Sequence, residues 1–194
     1  MGNLLFVNSC VRDEGVSRTL ELSKNVIDTI NKDNKYNVVE LNLNEMGIKP
    51  INKDYLSMRN ELIKNKEYDS GEFSLARRFA DADIIVIGAP YWDLSFPALL
   101  KNFIELICVG GITFKYGEGG EEIGLCKAKS LIYVTTSGGY IENQNFGYDY
   151  IKAIAKMVGI ENTKFVSAEG LDIWENDSHA IMNDAKERVK ELIV

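Results

Sequence analysis

The stretch Asp83 to Ile107, DIIVIGAPYWDLSFPALLKNFIELI, constrains this chain more than any other. Ile84 to Ile87 are apolar and β-branched without a break. A strand buried on both faces of a parallel sheet needs such a run, whereas a strand with one wet face would alternate. Gly88, Ala89 and Pro90 then turn the chain. Pro97 to Cys108 returns to helical spacing, with the proline expected in the first helical turn. Open parallel sheets hold ligands outside the carboxyl ends of their strands. At that place Tyr91, Trp92 and Leu94 offer flat or apolar surface and the loop amides offer donors, which suits a planar ring with a polar edge.

The same alternation runs through the rest of the chain. Asn3 to Val7, Tyr36 to Leu41, Lys129 to Thr135 and Thr163 to Ala168 read as further strands. Helices are predicted from Ser17, over Gly147 to Val158, and over Ser178 to Ile193. The pattern predicts an α/β fold, a doubly wound five-stranded parallel sheet with helices on both faces. Two connections exceed what that unit requires. Asn42 to Ala82 is polar with two helical patches, and Gly110 to Leu125 reads as two extended pieces around a Gly-Glu-Gly-Gly turn, a hairpin inserted after the third-strand helix. Connections this long often form lids, binding loops or interfaces.

A length of 194 residues fits one domain spanning 1–194. The net charge of −7, without a basic cluster, argues against a nucleic-acid partner. No apolar run approaches the roughly 20 residues that span a bilayer, and the chain enters a strand at once without a basic leader. A cytoplasmic protein with no membrane partner is expected. Cys10, Cys108 and Cys126 are odd in number and widely spaced, and His179 is the only histidine, so neither a disulfide framework nor a metal site is expected.

Three loops should converge at one sheet edge. Asn8 to Thr19 (NSCVRDEGVSRT) brings hydroxyls and amides to the start of the first helix, where the dipole and free N–H groups favour a phosphate. The strand-three loop supplies the ring wall. Thr135 to Tyr140 (TTSGGY) adds hydroxyls and two glycines that admit close backbone approach. Together they offer what flavin mononucleotide (FMN) requires.

With these residues in view, the chain resembles the flavodoxin-like family of FMN-dependent NAD(P)H azoreductases and quinone reductases. The likeness is strongest at GAPYWDLSFPALLKNFIE, VGGITFKY, the Thr-Ser-Gly-Gly loop and KFVSAEG. It implies cofactor contacts at Ser9, Cys10, Ser17, Arg18 and Thr19 on the phosphate side. On the ring side it implies Pro90, Tyr91, Trp92, Asp93 and Leu94, together with Thr136, Ser137, Gly138 and Gly139. Only the proline of the family's ring cradle is kept, and an ionised Asp93 close to the ring would disfavour the reduced anionic flavin. The resemblance further implies a homodimer with NADH or NADPH as donor and a small-molecule electron acceptor such as a quinone. Phe114 and Tyr116 match the hairpin lining the substrate cavity, which gives Tyr116 and Asp93 a role in positioning substrate.

Two other readings share parts of this pattern. A flavodoxin-type electron carrier or an NADPH-dependent FMN reductase would have the fold, although a carrier needs neither long insertion. Cys10 after the first strand resembles a small tyrosine phosphatase, but the arginine required six positions later is replaced by Val16.

Overall fold

In the computed structural model, which describes residues 1–193, the chain begins with β1 (Gly2–Asn8), α1 (Arg18–Ile30) and β2 (Tyr36–Asn42). The long connection folds as α2 (Lys53–Lys64), a short 3-10 turn at Gly71–Phe73, and α3 (Ser74–Asp81), the two helical patches expected of it. Then follow β3 (Ile84–Gly88), α4 (Ala98–Ile107) and an antiparallel hairpin of β4 (Phe114–Tyr116) and β5 (Glu122–Gly124). The chain ends with β6 (Ser130–Thr136), α5 (Phe146–Met157), β7 (Thr163–Ala168) and α6 (Ser178–Ile193).

The main sheet has the order β2-β1-β3-β6-β7 with every pairing parallel. Side chains alternate across it with the period of two that a pleated strand imposes. Leu5, Val7, Ile85 and Ile87 face α3, α4 and α5, meeting Phe79, Phe103 and Ile151. Leu4, Phe6 and Val86 face α1 and α6, meeting Leu22, Val26 and Val189. Both faces are buried, so β3 carries the unbroken apolar run that its sequence shows.

One local reading is revised, and one neighbouring residue falls outside the hairpin. Pro97 caps α4 from outside the helix, with the extended ψ of 142°, instead of sitting in its first turn, because its fixed φ serves the entry turn just as well. Ile112 precedes β4 and packs against the cluster of Phe73, Ala76 and Val109, so only Phe114 and Tyr116 take part in the hairpin's alternation. The hairpin is pinned by a backbone contact. A Cβ on Gly124 would lie 2.0 Å from the Gly159 nitrogen.

Candidate functional site

Strand order reverses between β1 and β3, whose following segments leave on opposite faces of the sheet. A crevice at the carboxyl edge is the geometric result. A cleft of about 260 Å³ opens there. Its depth is fixed partly by Gly88, where a Cβ would fall 2.5 Å from Ser23 Oγ, so α1 can lie close against the sheet.

One end of the cleft is the start of α1. Ser17, Arg18 and Thr19 line it with Val11 and Arg12. The Ser17 hydroxyl caps the helix by accepting from the Leu20 N–H at 3.2 Å, the ordinary function of an N-cap serine. The N–H groups of Arg18 and Thr19 have no acceptor among the described residues, as expected of first-turn donors. A helix end with free donors, hydroxyls and the Arg12 guanidinium beside it favours an anion.

The other end is the strand-three loop. Pro90, Tyr91 and Trp92 line the cleft, held by hydrogen bonds from Ala89 N–H to Val134 O (3.0 Å) and from Tyr91 N–H to Thr136 O (3.1 Å). The Tyr91 hydroxyl donates to Gln144 O at 2.9 Å. Partial desolvation, followed by the charge of Glu169, makes that phenol harder to ionise than a free one. Trp92 and Ser95 exchange backbone hydrogen bonds around Asp93 and Leu94, whose φ angles are 49° and 67°. Two positive φ values give the signature of a type I′ turn, which is strained for leucine. Inside this turn the amides of Asp93 and Leu94 bond to nothing among the described residues.

The wall between the two ends is Thr136, Ser137 and Gly138. It is laddered to the segment after β7: Leu171 N–H donates to Ser137 O (3.2 Å), Asp172 N–H to Gly138 O (2.9 Å), and Gly170 N–H to Gly139 O (3.0 Å). The place of a Gly138 side chain is held by the Asp172 carboxylate, 2.5 Å from the Cβ position. At Gly139 the corresponding space is open.

Several residues singled out from the sequence therefore meet at one cleft, and several do not. Ser9 and Cys10 are buried below it. The Ser9 hydroxyl donates to Gly88 O at 2.9 Å, and the Cys10 thiol faces the same carbonyl. Burial pushes the Cys10 thiol up to about 11, the opposite of an activated nucleophile. Asp93 is exposed and Leu94 is 43% exposed; neither side chain lines the cleft, nor does Gly139. Tyr116 is 65% exposed. Its hairpin follows α4, which runs back from the cleft, and precedes the start of β6, so it lies towards the opposite sheet edge. Asp172 and Arg12 line the cleft without having been singled out. The general rule that all strand ends converge would have pointed to Asp172, just beyond β7.

A crevice at the switch point of such a sheet, with a helix N-terminus at one end and an aromatic loop at the other, defines a doubly wound mononucleotide-binding protein. The chain matches the flavodoxin-like fold family over residues 2–193 and belongs to it. It is 35% identical over 198 residues to FMN-dependent NADH:quinone oxidoreductase 2 of Clostridium acetobutylicum, covering 98% of both chains. It is 31% identical to an FMN-dependent NADH:quinone oxidoreductase of Coprothermobacter proteolyticus, covering 99% of this chain and 98% of that one. Among solved structures, an azoreductase from Bacillus anthracis superposes with a TM-score of 0.88 at 21% identity, covering 100% and 99% of the two chains. An FMN-dependent NADH-azoreductase from Bacillus anthracis, in complex with FMN, gives 0.84 at 23% identity, covering 98% and 97%. At these identities the structural likeness shows a shared fold.

Proposed function

We propose that this chain is an FMN-dependent NAD(P)H oxidoreductase that reduces quinones, azo compounds or both. One observation carries the reading: free amides and hydroxyls of the first turn of α1 open into the same cleft as the aromatic Pro90–Trp92 wall. That spacing of anion seat and flat surface fits a flavin mononucleotide. Bound there, FMN would supply the hydride-transfer chemistry between a nicotinamide donor and an electron acceptor. The chain's own work is to bind and orient. Ser17, Thr19 and the α1 amides hold the phosphate, Tyr91 and Trp92 present a surface for the ring, and the amides of Asp93 and Leu94 serve as donors to its polar edge. Ser9 and Cys10 support the loop from beneath.

We infer a homodimer from the position of Tyr116. If it is to reach an acceptor lying on the ring, it must come from a second copy, because its own hairpin stands towards the far edge. The α2–α3 connection and the hairpin are also more than an electron carrier needs. No helix among the described residues is long and apolar enough to cross a membrane, and three free thiols suit a reducing compartment such as the cytoplasm. The chain is read as one cofactor-binding domain because a single sheet organises both of its main cores.

The deciding experiment measures flavin content and steady-state NADH and NADPH oxidation with a quinone and with an azo dye. Stoichiometric FMN and turnover with either acceptor is expected. Protein that binds FMN but shows no turnover would be a carrier, and protein that takes up no flavin would sink the reading.

A further inference from the structure

The two ends of the cleft are joined at two levels. Deep in the floor, the side-chain oxygens of Thr19 and Thr136 lie 2.6 Å apart in a neutral, buried pair. At the rim, the Arg18 guanidinium donates to Leu171 O at 3.0 Å and to Asp172 Oδ1 at 2.7 Å. This outer tie is ionic and partly wet, with side chains 33% and 65% exposed. Both of its members line the cleft. Asp172 is not an incidental surface partner. Its N–H donates to Gly138 O, and its other carboxylate oxygen occupies the space that a Gly138 side chain would take. Arg18 thus grips the segment that is laddered onto the Thr136–Gly138 wall, and does so from the first turn of the helix proposed to hold the phosphate.

We propose that Arg18 and Asp172 form a clasp that fixes the distance between the phosphate seat and the wall flanking the ring, with Asp172 as a positioning residue for flavin retention. The inference rests on the reading that FMN occupies the cleft. Arg18 directs both terminal guanidinium nitrogens to the β7–α6 segment, so its main contribution to binding is to hold the wall rather than to bond phosphate. Asp172 offers no competition for that phosphate, because its charge is already matched. Loss of the pair should loosen the wall for any flavin, phosphorylated or not.

The test uses full-length protein, FMN and riboflavin, and follows release of each by recovery of flavin fluorescence. For a half-exposed ion pair, Asp172→Asn should release both ligands about fivefold faster and leave the ratio of their affinities unchanged. Arg18→Met, which also gives up the bond to Leu171 O, should cost at least as much, and the double variant should lose no more than Arg18→Met alone, as the two ends of one ion pair require. A second readout isolates the charge. Riboflavin carries none, so added salt should speed its release from wild type by screening the pair, and should leave release from Asp172→Asn flat. Bound-flavin visible circular dichroism should shift in both variants while the melting temperature of the apo form holds. Tighter FMN binding by Asp172→Asn would show instead that the carboxylate competes with phosphate, and an unchanged riboflavin release rate would remove the clasp. Wild-type protein that binds neither flavin would remove the cofactor reading together with the clasp, whereas normal wild-type binding with unaltered variants removes the clasp alone.

Discussion

Thr19 on α1 and Thr136 at the end of β6 share one hydrogen bond across the cleft floor, 2.6 Å between oxygens, with both residues nearly out of reach of water. Replacing one of them by valine leaves the other hydroxyl buried without a partner, a cost of about 1–3 kcal/mol. Thr19→Val and Thr136→Val should each lower the urea midpoint, while the double variant should recover most of the loss. FMN loss that persists in the stable double variant would then report direct contact between a hydroxyl and the ligand. Single variants as stable as wild type would mean that the pair contributes nothing to the fold.

Ser17 caps α1 and also faces the anion seat, so alanine there would confuse two effects. Glycine keeps a serviceable N-cap, costing only a few tenths of a kcal/mol. Ser17→Gly should therefore melt close to wild type yet weaken FMN at least tenfold, a charge-assisted bond being worth about 1.5–3 kcal/mol, and barely alter riboflavin. Isothermal titration with the two flavins decides it, and equal losses for both would show that the hydroxyl does not touch phosphate.

The turn at Asp93 and Leu94 supports two contrasting expectations. The Asp93 side chain is exposed and outside the cleft lining, so Asp93→Asn should leave the flavin midpoint potential and the ratio of dye to quinone turnover unchanged in a redox titration and paired assays. Leu94→Gly relieves a positive φ of 67°, a strain of order 1–3 kcal/mol, against the greater freedom that glycine gives the unfolded chain. Net stabilisation is expected by thermal melting, together with slower turnover as the turn's free amides lose their fixed direction. A destabilised Leu94→Gly protein would show that leucine packing outweighs the backbone strain.

Buried thiols make the fold sensitive to alkali. Cys10 has a folded pKa of about 11 against 9.0 for an unperturbed thiol, so the protonated form is favoured in the folded state. Its contribution is fully present below about pH 9 and is lost as pH climbs towards 11, amounting to about 3 kcal/mol for this nearly inaccessible group. Urea melts at increasing pH should show falling stability across that window and a shallower fall in Cys10→Ala. An identical pH slope in the variant would assign the loss to other groups.

Periodicity made the sheet legible because β3, buried on both faces, allowed no polar residue from Ile84 to Ile87, and the switch-point rule then located the cleft. The Ser17 N-cap was readable for the same local reason, since a hydroxyl has to cap α1 where the helix begins, and the phosphate seat proposed there follows from that position. What the sequence hid were relationships made only in three dimensions. Nothing near Gly138 says that its missing side chain makes room for Asp172, which lies far along the chain. Nothing near Asp93 says that the turn takes two positive φ values and swings its carboxylate outward, because neither residue is the glycine that advertises such a turn. Tyr116 was named for its likeness to a cavity-lining residue, and only the path of α4 reveals that its hairpin stands away from its own chain's cleft.

The contact between Gly124 and Gly159 bears on how such a chain can vary. Two backbones meet where neither has a side chain, so the base of the hairpin has no clearance to surrender, and a mutation at either position has no compensating neighbour to shrink. Drift is closed off there. The exposed tip from Glu118 to Glu121 meets no facing backbone, so apart from Gly120, whose φ of 84° favours glycine, inheritance can rewrite the end of the hairpin while its root stays fixed. A lineage built on this scaffold would diversify the outer surface it offers without renegotiating the fold beneath.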